Sequence, residues 1–234
     1  MVKIAWVVLA LLIGIAACVI FFGGTSGAAP EGAWGELTSG SPAAVAPTLL
    51  FNADFSKEQT TGWMSRPERR GPGTTLPDGR VIPYDGRSGG AFWFPPTKAK
   101  SATQRAVFAV PIPHCDWYLD GHARVKVTAG TARVAIEYVF QDGNGEAAAT
   151  YIAWAGPPGT PPPAAPGALL EEMALSDGEW RRVPSRTTWD LKQKGLAMPR
   201  SPVFLEVRLR LDVEDGSAEA WFDDLDLRDM KAGR

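Results

Sequence analysis

The residue types that do most enzymatic chemistry are scarce here, and their spacing is wrong for it. The chain has two histidines, His114 and His122, and neither stands at metal-ligand spacing from the other or from a cysteine pair. No Gly-x-Ser-x-Gly turn and no phosphate-cradling glycine loop occurs. The acidic neighbours Glu171-Glu172 and Asp223-Asp224 could serve as a carboxylate pair, but adjacent strand residues point to opposite faces unless a bulge re-aims one. The run Asp142-Gly143-Asn144-Gly145-Glu146 has the opening of a calcium loop, yet Ala153 stands where the bidentate glutamate would be needed, so it reads as a turn. The expectation is a protein without catalytic residues.

The elements around these residues read as strands. Val203, Leu205, Val207, Leu209, Leu211 and Val213 alternate with Phe204 and charged residues, so the first set faces a core. Glu214-Asp215-Gly216-Ser217 offers an Asp-Gly turn, predicting a hairpin to a return strand over residues 218–227. In that strand the apolar parity changes from Ala218, Ala220 and Phe222 to Leu225 and Leu227, which a bulge at Asp223-Asp224 explains. Further strands are read over residues 49–55, 62–66, 89–94, 104–112, 122–128, 131–140, 148–154 and 179–189, with a second hairpin at residues 142–145. No long amphipathic helix is evident in this part. The pattern predicts an all-β protein, a two-sheet jelly-roll sandwich. Two insertions interrupt it, residues 66–85 and the proline-rich 156–167, the latter suited to polyproline II and read as a solvated loop or a docking arm.

Ahead of the domain, residues 4–22 carry no charge and would span about 28 Å as a helix, close to the thickness of a bilayer core. Three readings apply. Lys3 and the small residues Ser26-Gly27-Ala28 fit a cleaved signal. Ile15-Ala16-Ala17-Cys18 loosely resembles a lipobox. The length of the apolar run favours an uncleaved transmembrane anchor over residues 1–23, with Lys3 on the cytoplasmic side of a bacterial inner membrane and the large domain outside. Ala10, Gly14 and Ala17 share one face of that helix and would let a partner helix approach closely. Residues 24–48 form an Ala/Gly/Pro-rich linker, and residues 49–230 the outer domain. A net charge of −2 supplies no cationic field for nucleic acid. Cys18 lies in the apolar run and Cys115 in the outer domain, so no disulfide forms within that domain.

The outer domain resembles the jelly-roll carbohydrate-binding modules of the galactose-binding-domain-like fold. The stretch LLFNADFSKEQTTGW is similar to that family's first strand, DGEWRRVPSRTTW to its tryptophan-containing strand, and AEAWFDDLDL to its last strand with paired aspartates. The resemblance implies a structural calcium ion between first and last strands, for which Asp54 and Asp224 occupy the matching regions, although Ser56 replaces a frequent glutamate. It also implies glycan binding by aromatic faces. Strand parity sets Trp93 opposite Phe92 and Phe94, making it a candidate platform, and Phe204 is a second because it shares the charged side of its strand with Glu206 and Arg208. Trp63, Trp180, Trp189 and Trp221 lie inside the resembling motifs and are read as core, while Tyr118, Tyr151 and Trp154 are not oriented by the pattern.

Two functions follow from different premises. The anchor, its small-residue face and the two insertions favour an accessory subunit of a larger bacterial membrane complex, bound to other membrane protein subunits. The alternative is a membrane-tethered module that recognises a polysaccharide. Fold alone does not choose between them.

Overall fold

The computed structural model describes residues 50, 54–56, 63–65, 68–69, 78–114, 116–173, 178–200, 202 and 204–231. The expected anchor, its face of Ala10, Gly14 and Ala17, the linker and both cysteines lie outside them. Among the described residues no helix is long and apolar enough to cross a membrane.

The described part is β throughout apart from one short helix, as the alternation predicts. In chain order the elements are β1 Met64–Ser65, β2 Glu68–Arg69, β3 Arg80–Ile82, β4 Ala91–Pro111, β5 Trp117–Gln141, β6 Ala147–Ala155, β7 Leu169–Glu172, β8 Arg181–Arg182, β9 Arg186–Thr187, α1 Thr188–Gln193 and β10 Phe204–Asp229. The hydrogen-bonded order is β1-β4-β10-β5-β6-β7, with β2 and β3 also on β4 and β8 and β9 also on β5.

The three longest strands do not run straight. Tyr138 donates its hydroxyl to the Asp120 carbonyl at 3.0 Å, although both lie on β5 and an extended chain would hold them about 60 Å apart. Trp63 likewise touches two distant residues of β4, Phe92 at 6.0 Å and Phe108 at 5.4 Å between ring centroids. The sheet therefore doubles over. One layer holds residues 101–111, 131–141 and 204–214 with β1, β2, β6 and β7; the other holds residues 91–98, 117–129 and 217–229 with β3, β8 and β9. Between them lies one apolar core that includes Phe92, Phe94, Ile136, Phe140, Leu209 and Phe222.

The fold line corrects the hairpin expected at Glu214-Asp215-Gly216-Ser217. Instead of turning back, β10 continues along β4 and β5 through a register shift. Asp215 takes a positive φ of 46° and Gly130, on the neighbouring strand, one of 66°. A side chain at Gly216 would overlap the Ala129 carbonyl. The Asp-Gly pair bends the strand at the edge of the two layers rather than closing a loop. The hairpin at residues 142–145 forms as expected, with Gly145 N donating to Asp142 O at 3.0 Å, and the bulge at Asp223-Asp224 is present.

Two further expectations are corrected. The strand over residues 179–189 breaks into β8 and β9, and then α1 takes over. Thr187 and Asp190 form a reciprocal capping box, which leaves Trp189 on a helix and 64% exposed instead of in the core. The proline-rich segment has the solvent exposure expected of a loop, with residues 158–161 and 163–167 exposed, but it is not a free docking arm. β6 and β7 pair in parallel, and parallel neighbours need a crossover, which residues 156–168 supply. Arg133 Nε donates to Thr160 O at 2.7 Å and Arg210 Nη1 to Pro163 O at 2.9 Å, strapping this segment over the outer face of the first layer. Ala168 and Leu170 pack there on Ala135, Ile152 and Trp154.

Candidate functional site

Among the described residues, no crossover straps the outer face of the second layer. Its alternation sends Phe92, Phe94 and Phe222 into the core and Trp93 and Trp221 the other way. Pairing register then sets Arg80, Trp93, Trp221 and Arg124 side by side across β3, β4, β10 and β5. Guanidinium groups and indole rings stack within this row, Arg80 over Trp93 at 5.0 Å and Arg124 over Trp221 at 4.0 Å and over Trp180 at 5.2 Å. Such contacts hold a cation by the electron-rich ring face.

An open cleft of about 530 Å³ lies on this row, lined by Tyr84, Asp85, Trp93, Arg124, Glu219 and Trp221 among others. Trp93 is partly exposed and donates Nε1 to Glu219 Oε2 at 3.1 Å. Asp85 Oδ2 pairs with Arg124 Nη2 at 2.7 Å. Tyr84 is 65% exposed at the rim. The loop carrying Tyr84 and Asp85 is held down by the bulge. Asp223, fully buried, accepts from the backbone N–H of Arg87 at 2.6 Å and of Ser88 at 3.1 Å, and Asp224 accepts from Ser88 Oγ and from Arg87 Nη1, both at 2.8 Å. Burial pushes the Asp223 carboxyl above its ordinary value. Burial likewise pushes His122 down, reinforced by Arg87, whose Nη1 lies 2.8 Å from the ring.

This network assigns the paired aspartates a local task and bears on the calcium expectation. Ca²⁺ takes six to eight oxygen ligands, whereas Asp224 already faces a resident guanidinium and Asp54 accepts from Ser56 N and Oγ at 3.2 and 3.0 Å. Among the described residues no three His, Cys, Asp or Glu side chains converge as a metal set. The other acidic pair is also committed, with Glu171 bound by Tyr151, Arg186 and Lys194.

The two glycan candidates do not meet. Trp93 sits in the cleft on the second layer, while Phe204, 40% exposed, opens β10 on the first layer. Of the tryptophans read as core, Trp63 is buried there, but Trp221 and Trp180 belong to the outer cluster beside Trp93. Tyr151 is fully buried and stacks on Tyr138, and Tyr118 binds Asp120 and Arg182. Trp221 was legible from its parity against Ala220 and Phe222. Tyr84, Asp85 and Arg124 were not, because only the folded loop and the strand register bring them to Trp93.

No family model matches the sequence, and no curated protein matches it. Solved structures do. A family 61 carbohydrate-binding module in complex with β-1,4-galactotriose is 12% identical with a TM-score of 0.47, covering 78% of this chain and 98% of that one. The xylan-binding family 22 module from Paenibacillus barcinonensis Xyn10C is 16% identical with a TM-score of 0.44, covering 82% and 99%. The family 11 module from Clostridium thermocellum, in complex with a β-1,3-1,4-mixed-linked tetrasaccharide, is 14% identical with a TM-score of 0.43, covering 79% and 96%. These three neighbours are carbohydrate-binding modules.

Proposed function

We propose that this chain is a non-catalytic glycan-binding protein whose binding site is the cleft of Tyr84, Trp93 and Trp221, held at the outer side of a bacterial inner membrane by residues 4–22. The observation that carries the reading is the convergence of aromatic rings with hydrogen-bonding side chains on the outer face of the second layer. A pyranose has apolar C–H faces and a polar rim. Tyr84 and Trp93 would meet the faces, and Asp85, Arg124 and Glu219 the hydroxyls. Pockets of this size, with a few placed polar groups among apolar ones, suit small ligands or single units of a chain.

The accessory-subunit reading yields to this one. One of the two arms it relied on, residues 156–167, is the crossover strapped to the sheet by Arg133 and Arg210, and residues of the other, Tyr84 and Asp85, line the cleft. Calorimetric titration of the detergent-solubilised chain against a panel of neutral and acidic oligosaccharides tests the proposal. Binding to at least one member, weakened about tenfold or more by Trp93→Ala and by Tyr84→Ala, is expected. Absence of binding across the panel, or binding that ignores both substitutions, contradicts it.

A further inference from the structure

We infer that the glycan taken by this cleft is anionic, and that Arg80 and Lys126 are the cations that meet its carboxylate or sulfate groups; the inference rests on the glycan-binding reading above. The ionic groups lining the cleft, and Arg80 beside it against Trp93, are not equally engaged. Arg124 is paired with Asp85 and stacked on two rings. Glu219 accepts from the Trp93 indole. Lys126 is exposed and stands directly across the strands from Glu219, yet among the described residues it has no hydrogen bond or ion pair. Arg80 is exposed too, and its guanidinium lies over the ring of Trp93 with no hydrogen bond or ion pair among the described residues. What the surface holds ready is therefore a set of donors, three on the ammonium and five on the guanidinium, with no acceptor capacity on either.

Neutral sugars present hydroxyls that donate as well as accept, so they draw on acceptors as much as on donors. Here Asp85 is paired with Arg124 and Glu219 holds the Trp93 indole, whereas neither Lys126 nor Arg80 has a carboxylate partner among the described residues. Donor-only groups match oxygens that only accept, those of a uronate or a sulfate ester. Arg80 is also suited in kind, since a guanidinium can meet a carboxylate with two parallel hydrogen bonds. The positive character is local, because the whole chain carries a formal charge of −2.

The test uses the full chain and four polysaccharides run by affinity electrophoresis: polygalacturonate, its fully methyl-esterified form, a sulfated galactan and an unsulfated one. The esterified and unsulfated forms keep the backbone and remove the charge. A preference of about tenfold or more for a charged member over its uncharged twin is expected, falling as salt is raised from about 0.05 to 0.5 M and reduced about tenfold in the double variant Arg80→Gln, Lys126→Gln. Unchanged far-ultraviolet circular dichroism and melting temperature in that variant show that the fold is intact; if it does not fold, each single substitution is measured in its place. Equal binding of charged and uncharged twins, or stronger binding of the uncharged, overturns the inference while leaving the glycan-binding reading in place. Absence of binding to all four also overturns it, and the neutral oligosaccharide panel then decides the parent reading.

Discussion

Arg210 carries a charge into a place where water does not reach. Its guanidinium is 2% exposed and is met by Glu137 at 2.8 Å, Asp212 at 2.9 Å and the Pro163 carbonyl at 2.9 Å. Burial acts to lower its proton affinity, but Asp212 and Glu137 more than offset this and hold it above the ordinary value. Arg210→Met should leave buried Asp212 without its cation and Glu137 with only Arg208 at 3.9 Å, and destabilise the domain by about 3–5 kcal/mol, read from urea unfolding. A change below about 1 kcal/mol would show that the strap does not depend on this ion group. At this scale the sequence is readable wherever parity alone decides. Phe92, Phe94 and Trp93 separate as alternation requires, and Trp221 obeys the same rule against Phe222. Arg210 and Asp212 show the limit of the rule, since parity turns them outward and only the crossover buries them.

Among the elements, the crossover and the helix explain what local pattern did not reveal. An Asp-Gly pair is a strong hairpin signal, but whether it turns a strand back or bends it depends on which partners lie alongside, and Gly216 here has Ala129 pressed against it. A proline-rich run reads as an exposed loop, which it is, but nothing in it announces the arginines, at positions 133 and 210, that bind its carbonyls. The capping box Thr187-Thr188-Trp189-Asp190 was present in the sequence, and the β-like residues before it masked the helix. That helix is tied to β7 through Glu171, which binds Arg186, Tyr151 and Lys194. Arg186 above all holds the Glu171 carboxyl below its ordinary value of 4.5, against the opposing effect of burial. The folded state thus binds this proton less readily than the unfolded chain, so the stabilisation is present above about pH 4.5 and lost as pH falls through the lower folded value. Glu171→Gln should cost about 1–2 kcal/mol at pH 7, with the gap to the unsubstituted chain closing in acid. Thermal melts from pH 7 to 3 measure this, and a gap that stays constant would contradict the assignment.

On the scale of the whole domain, one doubled sheet has two outer faces with opposite fates. The first is closed by the segment between β6 and β7, which buries Arg210, Asp212 and Glu137 beneath it. The second carries the cleft along its row of arginine and tryptophan, with the loop from Tyr84 to Gly90 pinned at its margin by Asp223 and Asp224. That asymmetry emerges only after strands far apart in sequence come into register, which is why a β-sandwich was legible in the chain and the location of its site was not. It also turns the function into a question about faces, since Trp93 marks one and Phe204 the other. The most direct measurement is a comparison of Trp93→Ala and Phe204→Ala in titrations with whichever glycan the full chain binds most tightly. Loss of about tenfold or more in affinity for Trp93→Ala, with Phe204→Ala unchanged, is the predicted result; retained affinity in Trp93→Ala, or loss confined to Phe204→Ala, would contradict the account.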